Sequence, residues 1–192
     1  MMNEAAWLAI TLCVQSHILS GFVYLQSDER LLDLLNGMPV KQLESRGKFL
    51  ALSDVTVHQG DAVGEKLSSA YINKAAIYMA ATWNSDMGRG LGARSGQKPY
   101  PFVEKMPIPV RLWISDFLLI GSMYCASGQR AWHVLEEEQM FLPLTNVEVR
   151  PLADGIWSDV PFVAVNREQV LSLQEEETPL LQVTHGKPKP SA

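Results

Sequence analysis

Cysteine is scarce in this chain of 192 residues, and no Lys, Arg, Asp or Glu falls between Ala5 and Ser27. The two cysteines, Cys13 and Cys125, lie inside strand-like runs and do not occupy matching positions in the two halves of the chain. A disulfide framework or a metal centre needs paired spacing, so both are expected to be buried thiols, consistent with a reducing cytoplasm. His17, His58, His133 and His185 are scattered, without metal-ligand spacing. Missing too are Gly-x-Ser-x-Gly, His-Glu-x-x-His and any isolated Cys-His pairing. No catalytic residue, metal or cofactor is expected, and the chain reads as non-enzymatic.

An excess of basic charge is also absent. Lys and Arg number 16 against 21 Asp and Glu, for a net charge of −5 and a pI near 5.4. That balance gives no global attraction to RNA or to anionic lipid, so either would have to be held by a local patch. The uncharged stretch raises the question of a membrane segment. Asn3 and Glu4 precede it in place of basic residues, Gln15-Ser16-His17 interrupts it, and its counterpart in the second half carries Arg111 and Asp116. Two consecutive strands are expected there, with no membrane crossing.

What the chain does contain is an echo. Phe49-Leu-Ala-Leu-Ser-Asp-Val-Thr-Val57 and Phe141-Leu-Pro-Leu-Thr-Asn-Val-Glu-Val149 share one pattern: Phe-Leu-x-Leu, a hydroxyl residue, Asp or Asn, then Val-x-Val. Upstream, Leu8, Ile10, Leu12 and Val14 alternate with Ala9, Thr11, Cys13 and Gln15, and Val110, Leu112 and Ile114 with Arg111, Trp113 and Ser115, the period of a half-buried strand. Ile18-Leu-Ser-Gly-Phe-Val-Tyr-Leu25 matches Leu118-Leu-Ile-Gly-Ser-Met-Tyr-Cys125, with Gly21 on Gly121 and Tyr24 on Tyr124. A glycine inside a strand marks a sharp bend or a close backbone approach.

A short helix is expected within 27–36, capped by Ser27 or Asp28 and stopped at Asn36-Gly37, with a copy in 127–136. Ala70 to Met79 and Val163 to Ser172 both read as two strands joined at a polar corner, Asn73-Lys74 and Asn166-Arg167. The expected units are residues 1–83 and 106–176. A Gly- and Pro-rich basic linker, 84–105, joins them, and a low-complexity tail, 177–192, follows.

Five short strands, the glycine in the second, Asp33-Leu-Leu-Asn36 and Ile72-Asn-Lys-Ala-Ala-Ile77 together resemble the Sm-like family. These are small SH3-type barrels that include the bacterial RNA chaperone Hfq. The resemblance implies a mainly β protein of two tandem five-stranded Sm/SH3-like barrels, each with one short helix. It also implies a uridine pocket whose residues here would be Asn36, Asn73 and Lys74. In the second half the Asp and Asn positions hold His133 and Glu136, and a carboxylate there repels phosphate.

Each candidate has a plainer explanation beside it. Asn73-Lys74 and Asn166-Arg167 suit turn chemistry, because Asn tolerates αL and a charged neighbour keeps a corner solvated. Arg30 could hold a phosphate, or an ion pair with Asp33 or Asp54. Arg89, Arg94 and Lys98 of the linker, with Tyr100 and Phe102, could lie along single-stranded nucleic acid, or form a solvated linker. Small barrels leave strand edges unpaired, and those edges invite a protein partner or self-assembly. Edge-mediated protein binding, with the two units docked by a pseudo-two-fold axis, is therefore the leading expectation. RNA or nucleotide binding through the first unit and the linker is the alternative.

Overall fold

A computed structural model of the chain describes residues 6–15, 17–26, 29–37, 47–59, 62–84, 104–151 and 157–176. Among these residues ten strands form one antiparallel, unclosed sheet, with two short α-helices. The first half supplies β1 (Ala6–Val14), β2 (His17–Leu25), α1 (Leu31–Asn36), β3 (Phe49–Gln59), β4 (Ala62–Asn73) and β5 (Ile77–Thr82). The second supplies β6 (Lys105–Ile114), β7 (Phe117–Ala126), α2 (Ala131–Leu135), β8 (Phe141–Pro151), β9 (Trp157–Asn166) and β10 (Val170–Glu175). The spatial order is β10-β6-β7-β8-β9-β5-β1-β2-β3-β4. Within each half the fifth strand pairs with the first, then the second, third and fourth follow.

Local chemistry explains the matching paths. Val14 faces His17 and Ile114 faces Phe117 across two-residue turns, with Gln15 and Ser115 at φ 50° and 46°. The echoed Asp54 and Asn146 both take positive φ, 50° and 52°, the αL geometry that Asp and Asn tolerate best after glycine. They sit at irregularities where β3 slips against β2, and β8 against β7, opposite Gly21 and Gly121. A Cβ on Gly21 would stand 2.8 Å from the Ser53 carbonyl oxygen, and one on Gly121 3.1 Å from that of Thr145. Glycine is there because the bent strand crosses too close for a side chain.

The uncharged stretch between Ala5 and Ser27 contributes β1 and β2, and among the described residues no helix is long and apolar enough to cross a membrane. Cys13 and Cys125 are free and buried, and burial pushes the Cys13 thiol up to about 12. The cap of α1 falls later than expected. Arg30 is the N-cap, because the Asp33 carboxylate accepts the Arg30 N–H; Ser27 and Asp28 lie outside the described residues. In α2, His133 Nδ1 accepts the Arg130 N–H in the same way.

Two apolar clusters form, and each borrows from the other half. One gathers Leu12, Leu35, Leu52 and Ile77 and takes in Phe141, Phe162 and Ala164 from the second half. The other gathers Leu112, Leu119, Val147 and Val163 and takes in Cys13, Met79 and Ala81 from the first. The halves meet where β5 pairs with β9. This corrects the pseudo-two-fold expectation, since a two-fold joint sets a strand against its own counterpart. Here a fifth strand meets a fourth, so the halves are joined head to tail.

Candidate functional site

The joint between the halves shows what this sheet needs in order to bind a strand. Met79, Ala80, Ala81 and Thr82 face Val165, Ala164, Val163 and Phe162. All eight side chains are buried, because the joined strands have an apolar cluster on either face. Side chains then fix the register. Asn36 at the end of α1 grips the backbone of Phe141 twice: its Nδ2 donates to the carbonyl oxygen at 3.0 Å, and its Oδ1 accepts the N–H at 2.8 Å. Asn166 Nδ2 donates to the Ile77 carbonyl oxygen at 2.9 Å, while its Oδ1 accepts the Glu168 N–H and closes its own 3-10 turn. Trp83 and Trp157 add a tilted ring contact at 6.2 Å.

Among the described residues the sheet ends at β4 on one side and β10 on the other, each paired along one edge only. In sequence β4 corresponds to β9, and β10 to β5. Residues buried at the joint therefore have uncovered counterparts at the ends. Phe141 is fully buried, and its counterpart Phe49 is 56 % exposed. Ala164 is buried, and its counterpart Tyr71 is 76 % exposed. On β10, Leu171 is 71 % exposed. Large apolar side chains beside unpaired strand edges are what a docking strand covers.

The residues singled out from sequence fall around these features. Asn36 is committed to Phe141, as described. Asn73 Oδ1 accepts the Ala75 N–H, so it holds the corner as Asn166 does, which is the turn chemistry expected of both. Lys74 departs from the solvated corner: it is buried, and its Nζ donates to the Leu34 carbonyl oxygen at 2.7 Å. That carbonyl belongs to the last turn of α1, where helical C=O groups lack partners and a cation is favoured. Arg30 pairs with Asp33, one of the two partners expected for it, whereas Arg130 pairs with Glu175 on β10 and lies beside the start of α2. Arg89, Arg94 and Lys98 lie outside the described residues.

A groove of about 340 Å³ lies next to Lys74, walled by Trp7, Tyr24, Phe49 and Leu50. Trp7 and Tyr24 meet edge to face at 5.3 Å. Among the described residues no three His, Cys, Asp or Glu side chains come together as a metal site. Sequence reasoning missed Phe49, Tyr71 and Leu171 as surface features. The signal available was an apolar residue out of phase with the inward set of its strand. No family model, no curated protein and no solved structure matches the chain.

Proposed function

We propose that this protein is a non-enzymatic interaction module, two copies of one small Sm/SH3-like barrel motif fused head to tail, that binds a protein partner by strand addition at its open edges. The observation that carries this reading is the contrast between one filled joint and two sheet ends, where Tyr71 and Leu171 are exposed on strands whose outer edge no described residue pairs. Added strands gain main-chain hydrogen bonds for affinity and side-chain pairs for selectivity. The sequence resemblance, the matching bends at Gly21 and Gly121, and the recurring strand order support the duplicated motif.

The nucleic-acid alternative draws less support. Asn36 and Lys74 already spend polar atoms within the chain, and the net charge of −5 opposes phosphate. Affinity capture followed by mass spectrometry tests the docking reading. Tyr71→Asp combined with Leu171→Lys is expected to lose a protein that the wild-type chain retains. Identical recoveries, or recovery of salt-sensitive RNA in place of protein, would overturn it.

A further inference from the structure

A second groove, of about 460 Å³, opens on the outward face of the first half, beside the one next to Lys74 and sharing Trp7 with it. Its floor is low because Ala9 and Gly21 put almost no side chain there. Its sides are rings: Trp7, Phe22 and Trp83, between 41 % and 59 % exposed. β1 and β2 set Ala9 opposite Phe22, and Phe22 pairs with Ser53, next to Asp54. Asp54 joins the lining, in the αL conformation at the bend of β3. We propose that this groove binds a small quaternary ammonium compound, with the rings against its methyl groups and Asp54 facing its positive charge.

What the lining leaves free selects the ligand. It contains no Lys, Arg or His, and among the described residues nothing hydrogen-bonds or ion-pairs with Asp54. Thr11 and Ser20 already share a hydrogen bond, and His58 Nε2 lies 3.0 Å from Ser20 Oγ. The unspent groups are ring faces and one carboxylate. A ring face attracts a cation, and a methylated ammonium presents its charge with no donor to satisfy. A primary ammonium carries three N–H donors and holds its water more strongly, so it gains less here. Thr11 faces Ser20 and Ser20 faces Thr56, so hydroxyls close the end away from Trp7, where a polar tail fits. The volume falls within the roughly 300–1,000 Å³ of small-molecule sites.

The second half carries the same groove without this chemistry. It too opens over the strand glycine, here Gly121, and at about 610 Å³ it is larger. The counterparts of Trp7, Phe22 and Trp83 are Pro107, Ser122 and Glu176, and that of Asp54 is Asn146. In that groove Glu148 and Glu176 are paired with Arg150 and Arg111. The bend makes the depression in both halves, while the rings and the unpaired carboxylate belong to one. Folding does not call for three half-exposed rings around Asp54, since the same path is built without them.

The lining comes from β1, β2, β3 and the two residues after β5, and neither β4 nor β10 contributes. Ligand binding here is therefore independent of edge docking, and either can fail alone.

The test is calorimetric titration of the full chain with choline chloride at fixed ionic strength, beside the uncharged analogue that has carbon in place of nitrogen. Choline is expected to bind saturably, and the analogue about tenfold more weakly. Asp54→Asn and Phe22→Ser each install the residue that the second half holds at the same place, so the fold tolerates them. Each is expected to weaken choline binding about tenfold. No saturable binding, equal binding of the uncharged analogue, or variants that bind as wild type does would overturn the proposal. Tighter binding of a trimethyl-lysine amide than of choline would place the ammonium group on a protein side chain and overturn the assignment to a small compound.

Discussion

At the scale of single residues, the two glycines are the most sharply constrained positions. Gly21 sits where an added methyl meets the Ser53 carbonyl at 2.8 Å and the Leu52 side chain at 2.9 Å, and neither the backbone nor a buried leucine can yield cheaply. Gly121 has 3.1 Å to its nearest neighbours. Gly21→Ala is therefore expected to cost about 1–3 kcal/mol of stability, and Gly121→Ala less. Urea unfolding of the two variants checks both the size and the order. These glycines were legible in the chain because bends leave local signatures, whereas the αL conformation of Asp54 and Asn146 beside them was not, although the echo marked both positions. Nor was Lys74. A corner sequence of Asn-Lys predicts solvent, and only the fold reveals that the end of α1 lies within reach of the ammonium group.

At the scale of elements, α1 serves as a clasp. Its six residues are too few to be stable alone. It is held from below by Leu31, Leu34 and Leu35, at its start by Asp33, and at its end by Lys74 and by Gly37 in the αL conformation. So fixed, it presents Asn36 to Phe141 on the opposite half. Asn36→Ala is expected to destabilise the chain by about 1–3 kcal/mol, since it strands two partly buried backbone groups. Asn36→Asp, which still accepts the Phe141 N–H, is expected to fall between wild type and Ala, whereas Glu136→Ala, at the exposed counterpart, is expected to change little. Chemical denaturation of the three variants distinguishes this clasp from a merely local helix stop. The element was readable as a helix with a stop at Asn36-Gly37, but its purpose was not. The partner lies 105 residues away, and no local pattern encodes so distant a contact.

At the scale of the whole molecule, the direction of the joint decides the behaviour. A two-fold pairing of halves would have used up like edges and left like edges. The head-to-tail pairing leaves unlike ones, β4 and β10. Alternating patterns foretold which residues form strands, yet they carry no information about which strand of one half meets which strand of the other. Burial at the joint supplies the missing constraint, because both faces of β5 and β9 are covered by clusters that each draw on both halves. The two halves should consequently unfold together. Native-state hydrogen exchange tests this most directly, by comparing amides in 80–82 and 163–165 with those in the middle of β2 and β7. The continuous sheet predicts that the joint amides exchange only through global unfolding, with the same free energy as the core strands. Exchange of β5 and β9 through a separate, lower-energy opening would mean two halves that merely touch, and would contradict it.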